Sequence, residues 1–295
     1  ASADGGGIDG TGEVRLVRST VSGNSAGASS HGSDYALAAG GGAEAADVTA
    51  SSSTFASNRA TATSPGNSTA NGGGVFAHGQ LHITASTVSG NVAGATANTG
   101  GLATATSGAI DAGGAADVVN STLAGNAANA VADTSSGEAR AFGGATFPAD
   151  STMTFEASTV VRNSVSAHAH TGTAAGGALA VGFADLTITS TIVALNTAPG
   201  GPDCSGGVDS GGHNLVGKTA GCSFAKKPSD KVNVANAHLG PLHPNGGPTA
   251  TVALLPGSPA LDWIPAAQCG VHADQRGVHR PQGPKCDIGS YERKP

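Results

Sequence analysis

Three carboxylates, one imidazole and one aromatic ring are the groups in this chain whose spacing could act on a substrate. Asp9, Glu44, Phe76 and Asp111 each follow a glycine-rich turn, one residue past an apolar position, and His78 lies two positions beyond Phe76. If the segments that carry them lie side by side, the four residues form one outward column, with Glu44 joining it after an indel. Carboxylates on adjacent turns would then stand about 5 Å apart and those two turns apart about 10 Å. These distances bracket the separations that retaining and inverting glycosidases use. In that reading Asp9, Glu44 and Asp111 supply the acid and base, His78 moves a proton, and a polysaccharide lies across the ladder stacked on Phe76. Paired acids could also hold Ca²⁺ through oxygen ligands; no other metal or cofactor is indicated. The plainer alternative is solubilising charge on an exposed strand.

Other chemical signals reduce to turns. Gly212, Gly217, Lys218 and Thr219 spell the phosphate-loop pattern, but Cys222 follows at once and no helical pattern does. Gly23, Ser25 and Gly27 spell a nucleophile elbow, yet the same corner recurs with Val92 or Ala127 where the serine stands. His168 and His170 would share one side of a strand without an evident third ligand, which suits a solvated face better than a metal site.

The elements that must position these residues come from a repeat. Ser-Thr-apolar-x-x-Asn occurs at residues 19–24, 53–58, 86–91, 121–126 and 158–163, and at 190–196 with one extra residue, so that the asparagines are 34, 33, 35, 37 and 33 residues apart. A fixed period of that size marks a stacked solenoid. Gly5, Gly72, Ser107 and Gly176 each precede a repeat serine by 14 residues, and the intervening stretches, such as Leu81-His82-Ile83-Thr84, alternate with the period of strands. No sustained 3.6-residue pattern appears in residues 1–200, and glycine interrupts every turn. The sequence therefore predicts an all-β, right-handed parallel β-helix of about six coils over residues 1–200, with residues 201–295 as its continuation and cap. Leu16, Ile83, Val118 and Ile188 should point inward, as should Val21, Phe55, Val88, Leu123, Val160 and Ile192. Each repeat Asn should turn inward and satisfy backbone groups at its bend. The 10 to 12 variable residues after it should extend one side of each coil.

On the third strand, Thr20, Thr54, Thr87, Thr122, Thr159 and Thr191 should form an outward ladder, a flat array that could order water or ice, although Thr is also simply a good strand former. Composition suits a narrow tube: with 47 Gly, 3% aromatic and 12% charged residues, no large globular core can be filled. A net charge of −6 and the absence of a basic cluster argue against nucleic acid. No apolar run is long enough to span a membrane, and no signal peptide precedes the repeats.

Four cysteines, Cys204, Cys222, Cys269 and Cys286, lie only in the last third. Three pairings are possible; nearest neighbours are the simplest, each worth about 3 kcal/mol in the chain-entropy model. A zinc site lacks the short C-x-x-C spacing. Disulfides point to an oxidising, extracytoplasmic setting.

The same third carries a resemblance. Gly212-His213-Asn214-Leu215-Val216-Gly217, Leu239-Gly240-Pro241-Leu242, Asn245-Gly246-Gly247-Pro248-Thr249, residues 255–262 (Leu-Pro-Gly-Ser-Pro-Ala-Leu-Asp), Asp274-Gln275-Arg276-Gly277 and residues 286–292 (Cys-Asp-Ile-Gly-Ser-Tyr-Glu) resemble the choice-of-anchor Q domain, as do the coils before them. The resemblance implies a bacterial surface or secreted β-helix of the polymorphic outer-membrane, adhesin-like kind. Two departures are noted: no anchoring segment follows Pro295, and no cysteine-bearing segment precedes Ala1. The N-terminal end of the stack then needs cover, from upstream residues, another subunit, or the excursion between Ala26 and Gly40.

The expectation that results is a secreted, non-enzymatic structural or adhesive surface protein, associating with itself through solenoid ends or binding extracellular polysaccharide. The first alternative is a polysaccharide lyase or glycoside hydrolase; the second is ice binding through the threonine ladder.

Overall fold

The structure, a computed structural model, describes residues 1–31, 34–148 and 150–294. They wind into a parallel β-solenoid of about six turns. Every coil begins at a residue with positive φ, at Gly5, Gly40, Gly72, Ser107, Gly143 and Gly176. Strands of one coil pair in parallel with the same strands of the next, so inner columns run the length of the tube: Val48, Leu81, Ala116, Met153 and Leu186 form one, and Ala50, Ile83, Val118, Phe155 and Ile188 another. These side chains are buried. Large residues at roughly 1.5–3 kcal/mol each supply most of the tube's hydrophobic stabilisation.

The variable stretch after each Asn is two strands rather than a loose excursion. In the third coil, Val92–Ala97 runs out and Leu102–Thr106 runs back, and each pairs with its counterparts above and below. Their facing residues are almost all alanine, including Ala60, Ala62, Ala93, Ala95, Ala103, Ala105, Ala128 and Ala139. Methyl groups let the two legs approach to within 8 Å, Cα to Cα. Each coil is thus a tube with a thin, alanine-filled fin.

The glycine pairs mark where the fin joins the tube. A Cβ on Gly108 would run into the backbone of Ala127 and of Gly144, and one on Gly73 into Val92 and Gly108. Chain crosses chain there with no space for a side chain, which is why the pairs recur with the period of the coil.

The asparagines line up as expected. Asn58, Asn91, Asn126 and Asn163 are fully buried; each accepts from the backbone and amide of the preceding Asn and donates from Nδ2 to the next, at 2.9–3.0 Å. Nδ2 also donates back to a carbonyl of the preceding coil, as Asn126 does to Val88 O at 3.0 Å. The ladder ends on the carboxylate of Asp203, which takes Asn196 N and Nδ2 on one oxygen and Lys218 N on the other. Burial raises that carboxyl's pKa, opposed by those same hydrogen bonds.

The last repeat corrects the expected register. Thr159 pairs with Ile192 and Val160 with Val193, while Ser190 has the positive φ of the corner residues Ala85, Asn120 and Ala157. Thr191 therefore takes the place of the repeat serine, and no residue is inserted. Val193, rather than Ile192, enters the tube core.

The threonine ladder is corrected with it. Thr191 leaves the ladder, because its Oγ1 donates to Thr189 O like a repeat serine. Thr87, Thr122 and Thr159 do face away from the tube, but residues 239–294 fold back along this sheet and bury them. Gln275 bridges two coils: Nε2 donates to Thr87 Oγ1 at 2.9 Å, and Oε1 accepts from Thr122 Oγ1 at 2.6 Å. Ser290 N donates to Thr159 Oγ1 at 3.0 Å. Only Thr20, exposed, and Thr54, half-buried, keep access to water. A second apolar layer, with Ile192, Leu215, Val252, Leu254, Ile264 and Ile288, forms beneath this clamp.

The C-terminal third thus has two jobs. The disulfide Cys204–Cys222, with Phe224 and Val232, closes the end of the tube in a shortened coil, and Cys269–Cys286 ties the clamp. Among the described residues no helix is long and apolar enough to cross a membrane. At the other end, Ser25–Ser29 and Ala36–Ala39 are fin legs paired to the second coil, so the excursion between Ala26 and Gly40 does not fold over the end; its residues 32 and 33 lie outside those described. Ile8, Val14 and Leu16 remain partly exposed there.

Candidate functional site

Where the fin meets the tube, the outward faces of two sheets converge and form a groove parallel to the stack. On the tube side the column reads Asp9, Glu44, Phe76 and Asp111 in unbroken register, as the sequence predicts. Phe147 continues it, because Ile110 N and Thr146 N occupy equivalent positions in the ladder. On the fin side the facing column reads Asp4, Ala39, Asn71, Thr106 and Phe142. The glycine crossing fixes the angle between the two walls.

Glu44 is only 5% exposed, and His78 Nε2 meets its Oε1 at 2.8 Å. The ring of His78 packs edge-on against Phe76, centroids 4.9 Å apart. The second oxygen of Glu44, Oε2, is buried without a hydrogen-bond partner among the described residues. Burial, then the nearby charge of Asp4, push the Glu44 carboxyl above its ordinary value, while His78 and the Gly5 N–H pull it down.

Asp111 lies one coil beyond Phe76, in a cavity of about 330 Å³ lined by Asn71, Phe76, Thr106, Phe147 and Asp150 among others. Asp111 is half-buried in the wall of this cavity. Burial pushes its pKa up to about 7, against hydrogen bonds from the Ser107 side chain, the Ala112 N–H and the Thr106 side chain. Phe142 and Phe147 stack at 5.3 Å and form one end of this recess.

Of the residues expected to act together, Glu44, His78 and Phe76 are in mutual contact, and Asp111 shares the groove. Asp9 is exposed. The acids do not gather around a cation: among the described residues no group of three or more His, Cys, Asp or Glu could hold a metal ion. His168 and His170 are exposed.

Four residues of this groove are not evident from the sequence. Asn71, Thr106 and Phe142 sit on return legs whose strand character the alanine-rich composition hides. Ser107 is the most telling, because it has φ 56° where the other five coils begin with glycine. Its Oγ accepts from Phe147 N at 2.9 Å, so a serine in a glycine column was the available signal.

Comparison of the chain with protein-family models, with curated proteins and with solved structures finds no match to any of them.

Proposed function

We propose that this protein is a secreted surface solenoid that binds extracellular polysaccharide, without cleaving it, in the groove between fin and tube. The observation that carries this reading is the unbroken register that alternates carboxyls, buried at Glu44 and half-buried at Asp111, with the half-buried rings of Phe76 and Phe147 on successive coils. Aromatic faces stack on sugar rings, and recessed carboxyl, amide and hydroxyl groups fix their hydroxyls. Two disulfides favour an oxidising compartment. The likeness of residues 212–292 to the choice-of-anchor Q domain supports a place on a cell surface.

Binding without cleavage is preferred on electrostatic grounds. A hydrolase of the inverting kind needs one carboxyl held protonated and another ionised, that is, environments that push two pKa values apart. Here burial raises both Glu44 and Asp111, and Phe76 stands between them. The second reading, a glycosidase or lyase, draws on Asp111, whose carboxyl near pH 7 has the properties of a general acid.

Affinity electrophoresis against neutral and acidic polysaccharides tests the first reading. Retardation by at least one polymer, lost in Phe76→Ala, is expected without release of reducing ends or of products absorbing in the ultraviolet. Product release that disappears in Asp111→Asn would establish the second reading instead, and no retardation by any polymer would refute the first.

A further inference from the structure

We infer that the groove takes an uncharged, extended polysaccharide laid parallel to the solenoid axis, one sugar to a coil, with Phe76 and Phe147 as platforms for alternate sugars. This rests on the glycan-binding reading and adds the class and direction of the ligand.

Direction follows from the repeat. Coils rise by about 4.8 Å, close to the length of one sugar in an extended, equatorially linked chain. Phe76 and Phe147 stand two coils apart, roughly 10 Å. In a ribbon-like glycan, alternate sugars present the same face to the same side, so two rings at that separation meet equivalent faces of sugars one apart. A chain crossing the groove would meet the fin wall within one sugar, because Asn71 and Thr106 line the same cavity as Phe76 and Asp111.

Class follows from the walls. Both columns, from Asp4 to Phe142 and from Asp9 to Phe147, contain no Lys or Arg, so a polyuronate or sulfated polymer would find carboxyl groups and no counter-charge. Two of the seven phenylalanines of the chain, Phe76 and Phe147, line the cavity, and Phe142 on the facing column stacks on Phe147, whereas Phe55 and Phe155 fill the tube core. Glu44 adds an independent sign: the Gly5 N–H lies near its carboxyl, yet its buried Oε2 has no hydrogen bond of good geometry among the described residues, and a sugar hydroxyl is a donor of the right kind. Asp111, its carboxyl pushed up to about 7 by burial, supplies the complementary donor below that pH.

The test uses calorimetric titration of the full chain with β-1,4-linked oligosaccharides of glucose, xylose and mannose, two to six sugars long, and with polygalacturonate as the anionic comparison. Affinity for at least one neutral series should rise with length to about four sugars, the span from the Glu44 coil to the Phe147 coil. Phe147→Ala should weaken the four-sugar ligand about tenfold and leave the two-sugar ligand within about twofold, while Phe147→Trp should restore the loss and shows that the fold is intact. Tighter binding of polygalacturonate, no dependence on length beyond two sugars, or an unaltered Phe147→Ala variant would each overturn the axial, uncharged assignment even where some glycan binds. No binding of any saccharide would remove the glycan reading and this inference together.

Discussion

Replacing Asn126 by Leu removes the centre of the amide ladder, and its cost can be worked out atom by atom. Asn126 Oδ1 accepts from Asn91 N at 3.0 Å and Asn91 Nδ2 at 2.9 Å, and its Nδ2 donates to Val88 O at 3.0 Å and Asn163 Oδ1 at 2.9 Å. Asn163 Oδ1 keeps a donor, the backbone N–H of residue 126 at 2.9 Å. Left without a partner at a site with no solvent exposure are one backbone N–H and one amide N–H of Asn91, while Val88 O stays in the strand ladder with the next coil. At about 1–3 kcal/mol for each orphaned group, the loss should reach about 4 kcal/mol, because leucine matches asparagine closely enough in volume to leave no large void. The control is Asn24→Leu. Asn24 is half-buried in the first coil, its side chain donates only to Asn58 Oδ1, and no donor among the described residues reaches its own Oδ1; about 1 kcal/mol is expected. Urea unfolding followed by circular dichroism measures both. Equal losses in the two variants would show that the ladder is a passive column and that the argument from unpaired groups is wrong.

Two further outcomes follow. The Asp111 carboxyl, raised from 3.8 to about 7 in the folded chain, favours the protonated native state, so its contribution is fully present below about pH 4 and is lost as pH rises through about 7. A displacement of about three pH units has a ceiling near 4 kcal/mol, and access of water to part of the group halves it to about 2 kcal/mol; Asp111→Asn should therefore unfold at higher urea than the parent at pH 8 and not at pH 4, and parallel pH profiles would contradict the burial argument. Gln275→Leu cuts the bridge from the clamp to Thr87 and Thr122, and should increase amide hydrogen exchange across residues 239–294 at least tenfold while the tube stays protected, whereas unchanged exchange would mean that the apolar layer alone holds the clamp.

Much of the tube was legible because its constraints repeat. A buried Asn at one corner and a glycine at the crossing are each required once per coil, so residue identity follows geometry at fixed spacing, and the column from Asp9 to Asp111 follows from that register. Where a different residue meets the same need, the reading slips. Thr191 supplies the hydroxyl of the repeat serine, and Ser190 imitates that serine one position early from a corner whose positive φ other coils give to Arg18, Ala85 or Asn120; alternation of side chains then turned the expected faces of Ile192 and Val193 inside out. The fin was visible only as composition, since alanine fits strand, helix and turn alike and its role depends on a facing leg about ten residues away. Burial of the threonine ladder could not be read at all, because it comes from contacts such as Gln275 with Ser86 and Thr87, which are separated by 189 and 188 residues.

Those long-range contacts also give the motifs of the C-terminal third their role. The segment Asp274-Gln275-Arg276-Gly277 places Gln275 on the threonine sheet and fixes the chain on either side of it: Asp274 takes Arg276 at 2.6 Å, and the guanidinium lies 3.6 Å from the Tyr291 ring centroid. In residues 286–292, Ser290 reaches Thr122 and Thr159, and Glu292 pairs with buried Arg280 at 3.3 Å. These are residues for holding a clamp on a solenoid, and none of them lies in the groove. The clamp also decides which face is free to bind: it covers the threonine sheet from the third coil onward and leaves the other convergence of walls, at the fin, open. The threonines that the chain's own end seals cannot order ice or meet a partner, whereas Phe76, Asp111 and Phe147 line an open cavity of about 330 Å³. Specificity in this protein should therefore reside in the residues one past each glycine crossing, while the ladder asparagines, the crossing glycines and the clamp carry the architecture.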